Sequence, residues 1–193
     1  KNNNTLLKYN LNSNNIIYAM IARFDPHKDH KKLIKCFEKF IKKYNNIILL
    51  IIGSNVNLKN NYLSKYILSN QISKNILLLD HLDELNEIYQ IIDFHILLSF
   101  SESFPNVIAE TMSMGIPNIS SDVGHASKII GNTGWIVNND NDTELNYAIN
   151  DSMKFYNDKK KYNELKLNCC NKISINFHLN TMIDKYNELW RSK

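Results

Sequence analysis

Apolar residues fall along this chain in short, unbroken runs separated by longer stretches with helical spacing. Ile16 to Ala22, Ile47 to Ile52, Ile76 to Leu79 and Phe94 to Leu98 are runs of mostly apolar, often β-branched residues. Such runs predict strands buried on both faces. Shorter segments, Pro117 to Ser120 and Gly134 to Val137, read as a fifth and a sixth strand. Between the first two runs, Leu33, Ile34, Phe37, Phe40 and Ile41 mark one face of a helix over 33–44. Further helices are expected over Tyr62 to Leu68, Leu85 to Ile92 and Asn106 to Met114, and in about three pieces from Thr143 onward. Residues 1–15 are Asn-rich and weakly patterned, and read as a tail or linker.

Strand and helix alternate, which predicts an α/β fold: a doubly wound, Rossmann-like parallel sheet over residues 16–176. Ligands of such sheets sit beyond the carboxyl ends of the strands. Three polar loops lie there, Arg23 to Asp29, Gly53 to Val56 and Ser99 to Asn106. The first strand is not followed by GxGxxG and the chain has no GxxxxGK[ST], which argues against a plain dinucleotide dehydrogenase and against a Walker-type phosphate loop.

The most informative stretch is Ser99 to Pro117, SFSESFPNVIAETMSMGIP. A buried strand turns through small and polar residues into a helix, whose first N–H groups have no internal partners and favour an anion. Glu102 in the turn and Glu110 in the helix repel an anion, but suit the hydroxyls of whatever carries it. Phosphate in the middle with polyols on both sides describes a nucleotide-sugar. Both glutamates also suit plain solvent-exposed charges near a helix start, and Arg23 and Lys28 suit ordinary loop cations.

Composition narrows this only slightly. The net charge of +4 and the spread of lysines along the chain do not suggest nucleic acid; an anionic lipid or a phosphorylated ligand fits a mildly basic surface equally well. Cys36, Cys169 and Cys170 form neither a disulfide framework nor a metal spacing, which suits a reducing cytoplasm. His27, His30 and His81 lack ligand spacing, so no metal is expected. Asp140-Asn141-Asp142 spells DxD, but its place between a strand and a helix reads as a turn with a helix cap. No run reaches the roughly 18 apolar residues of a membrane span, and no signal-peptide pattern is seen.

ARFDPHKDHKKLI, ESFPNVIAETMSMGIP, DVGHASKIIGNTGWIV and FHLNTMIDKYNELW, in this order and spacing, resemble the C-terminal half of family 4 glycosyltransferases, retaining enzymes of the GT-B fold, in the style of bacterial capsule and O-antigen enzymes. The resemblance implies the single donor-binding lobe of a hexosyl-type transferase that moves sugar from a nucleoside diphosphate sugar, a UDP-sugar above all, to a glycan or lipid-linked acceptor. It implies Arg23 and Lys28 on the donor diphosphate and Glu102 facing the donor sugar, these three being the catalytic candidates. Glu110 is implied on the ribose, main-chain N–H groups of Ser103, Phe104, Pro105, Asn106 and Val107 along sugar and phosphate (Pro105 has no N–H and contributes shape), and Ser54, His81 and Leu82 around the nucleotide. No cofactor and no metal are implied. A helix over 177–193 is expected to pack back toward an N-terminal acceptor lobe of ~150–200 further residues, the chain being either cut at the linker or naturally short. The implied location is the cytoplasm, with peripheral contact at the inner face of the membrane. Ser103 stands where the family has Gly, Thr111 where Ala is frequent, Asn118 where a β-branched apolar residue is usual, and Asp80 where Gly is common. A non-catalytic nucleotide-sugar-binding module and an epimerase-like relative remain alternatives.

Overall fold

In the computed structural model, which describes residues 1–68 and 72–191, six strands pair in parallel as one sheet. They are β1 (Ile16–Ile21), β2 (Ile47–Ile52), β3 (Ile76–Leu79), β4 (Phe94–Leu97), β5 (Asn118–Ser121) and β6 (Gly134–Val137), in the order β3-β2-β1-β4-β5-β6. The helices are α1 (Asn3–Lys8), α2 (His30–Lys43), α3 (Asn61–Leu68), α4 (Asn86–Tyr89), α5 (Asn106–Ser113), α6 (Ala126–Ile130), α7 (Asp142–Asn157), α8 (Lys159–Asn176) and α9 (Leu179–Arg191).

The strands are apolar throughout because both faces are covered. On one face Tyr18, Met20, Leu49, Ile51 and Phe94 pack against Leu33, Phe37 and Phe40 of α2 and Leu145 and Ile149 of α7. On the other, Ile17, Ala19, Leu50 and Ile52 meet Leu6, Ile88 and Ile91. Beside that, Leu97 packs with Ile108, Met112, Ile129 and Cys169 under α5, α6 and α8. Tyr18 sits at the centre, stacked on Phe94 at 5.0 Å, and its hydroxyl meets Ser152 Oγ at 2.8 Å.

Residues 1–15 are no loose tail. Asn2 caps α1 by accepting from the N–H groups of Asn4 and Thr5, and Leu6 and Leu11 are buried in the core. Two buried leucines are too few to show a period, so this docking is invisible to pattern reading. The five-residue α6 is likewise too short to show a period. The helix expected over 85–92 is only the single turn of α4. The DxD stretch is a cap, with Asn141 Oδ1 accepting from the N–H groups of Thr143 and Glu144. The C-terminal helix runs to Arg191, and residues 192–193 of its expected span lie outside the described residues. No helix among the described residues is long and apolar enough to cross a membrane.

Candidate donor site at the centre of the sheet

The strand order runs outward as 1-2-3 on one side and 4-5-6 on the other. The chain leaving β1 enters α2 on one face, and the chain leaving β4 enters α5 on the opposite face. A crevice opens where the two part, beyond the carboxyl ends of β1 and β4. It holds a cavity of about 430 Å³ lined by Ala22, Arg23, Lys28, Glu102, Pro105 and Asn106, among others. The cationic loop and the acidic loop, 74 positions apart for Lys28 and Glu102, thus share one space.

Each loop is shaped by local chemistry. Asp25 accepts from the N–H of His27 at 2.9 Å and so caps a 3-10 turn over Pro26–Lys28. Asp29 then takes a left-handed conformation (φ +39°) and caps α2 by accepting from Lys32 N–H. The two loops are stitched together at His27, whose carbonyl accepts from Phe100 N–H at 2.9 Å and from Ser99 Oγ at 3.2 Å. Lys28 Nζ forms an ion pair with Glu102, and both side chains are mostly buried. Arg23 is exposed and rests on Asp25 Oδ2 at 3.2 Å. α5 begins after Pro105, and no side chain caps its first turn.

The other expected residues are distributed around this centre. Ser103, Phe104 and Asn106 are exposed at the start of α5, and Val107 is half-buried. Glu110 opens onto an adjoining cavity of about 610 Å³ rather than the first, and the two share Phe104 and Asn106 as a common wall. Glu110 Oε2 accepts from Tyr89 Oη at 3.2 Å, and burial, then the neighbouring carboxylate, push the Tyr89 phenol up to about 12. Ser54, His81 and Leu82 line neither cavity. Ser54 is one strand over, where its carbonyl accepts from Phe24 N–H. His81 is exposed, and Leu82 packs into the apolar cluster beneath the sheet. Asp80 ties these loops together, accepting from Asn55 N–H at 3.1 Å and Asn57 Nδ2 at 2.6 Å. The N–H of His81, followed by Asn57, holds the Asp80 carboxyl below its ordinary value.

Ser103 is not among the described residues with positive φ, so it carries no strain there. The close approach is made instead by Gly124 (φ +54°), where a Cβ would lie 2.3 Å from the Glu102 carbonyl oxygen. Next to it, His125 N–H donates to the Ser103 carbonyl at 3.2 Å. The sequence signal of this support under the acidic loop is the VGHA segment after the fifth strand, whose role shows only in the fold.

Asn118 of β5 is fully buried, and its amide is fully partnered. It accepts from His95 Nδ1 at 2.6 Å, while His95 Nε2 accepts from Ile21 N–H at 3.4 Å. Its amide donates to Thr111 Oγ1 at 3.0 Å and to the Ile116 carbonyl at 2.9 Å. Thr111 Oγ1 in turn donates to the Val107 carbonyl at 2.8 Å. A line of hydrogen bonds therefore runs from the end of β1 through β4 and β5 to the first turn of α5. Two of the residues that depart from the family pattern are each other's partners.

The family model described as "Glycosyl transferases group 1" matches residues 3–169. The chain belongs to that family. It is 26% identical over 186 residues to the UDP-Gal:alpha-D-GlcNAc-diphosphoundecaprenol alpha-1,3-galactosyltransferase of Escherichia coli, covering 93% of this chain and 46% of that protein. It is 28% identical over 139 residues to the capsular polysaccharide biosynthesis glycosyltransferase CapM of Staphylococcus aureus, covering 70% of this chain and 36% of that protein. The chain thus spans less than half the length of these relatives. Its fold matches a glycosyltransferase from Rickettsia africae (TM-score 0.87, 23% identity, 98% of this chain and 50% of that one). It also matches Anabaena HepE solved with UDP-glucose (TM-score 0.81, 18% identity, 100% of this chain and 54% of that one). These neighbours have the GT-B fold, and this group 1 domain corresponds to about half of each.

Proposed function

We propose that this chain is the donor-binding half of a retaining glycosyltransferase. It would move a hexosyl residue from a UDP-sugar to a glycan or lipid-linked acceptor in surface-polysaccharide synthesis, in the cytoplasm and in peripheral contact with the membrane. The observation that supports this most is the shared cavity between β1 and β4, where Arg23, the Lys28–Glu102 ion pair and the uncapped start of α5 converge. The relatives named above, with UDP-galactose and diphosphoundecaprenol in one name and capsular polysaccharide in the other, support the substrate classes.

The roles follow from charge. The diphosphate departs with negative charge as the bond from the anomeric carbon to its oxygen breaks. A cation at 4 Å favours a unit charge by about 4 kcal/mol at an effective dielectric of 20, and an oriented N–H donor contributes roughly 2.7–4 kcal/mol in enzymes where one has been removed. Lys28, Arg23 and the first turn of α5 would supply both, so the reading requires no metal and no cofactor. Glu102 would hold Lys28 in place before the donor arrives and face the sugar as positive charge develops on it. The acceptor oxygen would attack from the same face and pass its proton to the departing phosphate oxygen. Glu110, with Tyr89 beside it, would grip the ribose, while Ser54, His81 and Leu82 would border the nucleotide. The acceptor site would be completed by an N-terminal lobe packed against α9.

The test is a thermal-shift panel of UDP-, GDP- and ADP-sugars. A donor at 100 times its Kd stabilises by about 2.7 kcal/mol, a rise of about 5–10 °C for a domain of this size. Arg23→Ala or Glu110→Ala is expected to erase the shift with every donor, whereas Glu102→Gln reduces it for the UDP-sugar and spares UDP. A flat panel, or a shift that survives Arg23→Ala, overturns the assignment. The isolated chain is expected to transfer sugar poorly, and rapid transfer without a second lobe overturns the half-enzyme reading. Donor binding without any transfer after an acceptor lobe is supplied would mark a binding module instead.

A further inference from the structure

Three polar side chains are sealed in the core between the two walls of the donor cavity. His95 of β4, Thr111 of α5 and Asn118 of β5 are each fully buried. The paired register of β1 and β4 joins Tyr18 to Phe94 and Ala19 to His95. Two residues further along β1, Ile21 N–H donates to the His95 ring instead, reaching Nε2 at 3.4 Å. At the other end of the line, Thr111 Oγ1 meets the Val107 carbonyl at 2.8 Å and the Ile108 carbonyl at 3.1 Å, in the first turn of α5. Ile21 and Val107 both line the donor cavity, one from the basic side and the other from the acidic side. The line of hydrogen bonds thus begins and ends on the walls of the site, and none of its three side chains is among the lining residues.

Each bond in the line has a forced direction. A backbone N–H only donates, so the Nε2 that faces Ile21 carries no proton. Burial keeps the ring neutral, and its one proton therefore sits on Nδ1, 2.6 Å from Asn118 Oδ1. Asn118 then turns its amide to Thr111 Oγ1 at 3.0 Å and to the Ile116 carbonyl at 2.9 Å. Thr111, accepting there, gives its own proton to the Val107 carbonyl. Apolar side chains would fill this volume without burying polar groups, but apolar packing has no direction. Hydrogen bonds weaken steeply when bent, so this line holds two backbones at one separation.

We infer that His95, Asn118 and Thr111 are positioning residues of the donor site, which set the start of α5 against the end of β1. The donor then meets the basic loop and the helix N–H groups at one spacing. A ligand gripped from two walls loses affinity when either wall is displaced, because its contacts need a supporting shell that locks them in place. What the cavity holds rests on the proposed function; the tie between its walls rests on the geometry alone.

The deciding variant replaces all three at once, His95→Leu, Thr111→Val and Asn118→Val. Removing both partners of a buried hydrogen bond together is nearly neutral for stability. The triple variant is therefore expected to melt close to the parent and yet to bind UDP roughly 3- to 30-fold more weakly by calorimetry. UDP affinity equal to the parent's overturns the inference. Should the triple variant not fold, two single substitutions decide. Thr111→Ser keeps the hydroxyl and should bind UDP as the parent does, whereas Thr111→Val should bind it more weakly; equal affinities overturn the inference. Ile149→Val, in the core on the opposite face of the sheet, is the control. It should lose stability but no affinity, and an affinity loss as large as that of Thr111→Val would assign the effect to stability and overturn the inference.

A measurement without ligand separates this result from the proposed function. In nitrogen–proton correlation spectra His95 is expected as the neutral Nδ1–H tautomer, and Thr111→Val should shift the amide signal of Ile21 at the far end of the line. The Nε2–H tautomer, or an Ile21 amide that does not move, overturns the inference even where UDP binds. If the parent binds no UDP, the proposed function fails, and the spectra still judge the tie between the walls.

Discussion

Asn118 and Thr111 show what one side chain can decide. Each is a poor choice by itself: a buried amide in a central strand and a hydroxyl on the inner side of a helix. Together with His95 they satisfy one another, and unpaired buried polar groups are what costs free energy. Asn118→Val should therefore destabilise by about 1–3 kcal/mol, by orphaning His95 Nδ1–H. Thr111→Ala should cost less in that background than alone, with a coupling of about 0.5–3 kcal/mol in a urea double-mutant cycle. Strictly additive losses would show that the two do not act as a unit. At the same scale, Lys28 and Glu102 were each legible as site candidates, but their pairing was not, because nothing in a sequence measures a distance across 74 positions.

At the scale of elements, the donor cavity depends on loops pressed together without space for a side chain. Gly124 is one such case, since any Cβ there would collide with the Glu102 carbonyl and the residue has positive φ. Gly124→Ala is expected to cost about 1–3 kcal/mol in backbone strain and to displace the acidic loop. Donor affinity, measured by calorimetry, should fall along with melting temperature. An unchanged affinity would mean that the loop holds its shape without this contact. α9 makes the opposite point. It has no buried residue, and Leu179, Met182, Ile183, Tyr186 and Trp190 on its apolar side are 45–74% exposed. Ending the chain after Phe177 should change stability by less than about 1 kcal/mol, since so little apolar area is removed from water by this helix. Binding of a hydrophobic dye should drop sharply, and a large loss of stability would contradict the exposure of the helix.

The whole molecule adds a pH response. Burial holds His30 and His95 neutral, with pKa values lowered to about 4 from an ordinary value near 6.5. Between those values the unfolded chain binds protons that the folded chain does not. Stability is therefore fully present above pH ~6.5 and declines as pH falls toward 4, by up to about 3 kcal/mol per histidine. Asp93, raised by burial, works in the opposite direction and offsets part of this. His30, shifted chiefly by burial and outside the Asn118 network that holds His95, is the simpler one to remove. His30→Leu should flatten the slope of urea midpoint against pH in this window, and an unchanged slope would assign the response to other groups.

The sequence by itself determined the strands, the major helices and the class of fold, because a doubly covered parallel sheet imposes continuous apolar runs that local composition displays. It also pointed to the acidic loop, through a strand that turns into a helix start around Glu102, and to the basic loop, through the family resemblance at Arg23 and Lys28. Only the tertiary structure decided what meets what. The order of the strands put β1 beside β4 and joined the two loops, while Glu110 went to an adjoining cavity. Folding also buried Leu6 and Leu11 of a stretch that reads as a tail, and it turned two unpromising polar residues into partners. Those outcomes are contacts between distant positions, and their free energy exists only once the chain has brought them together.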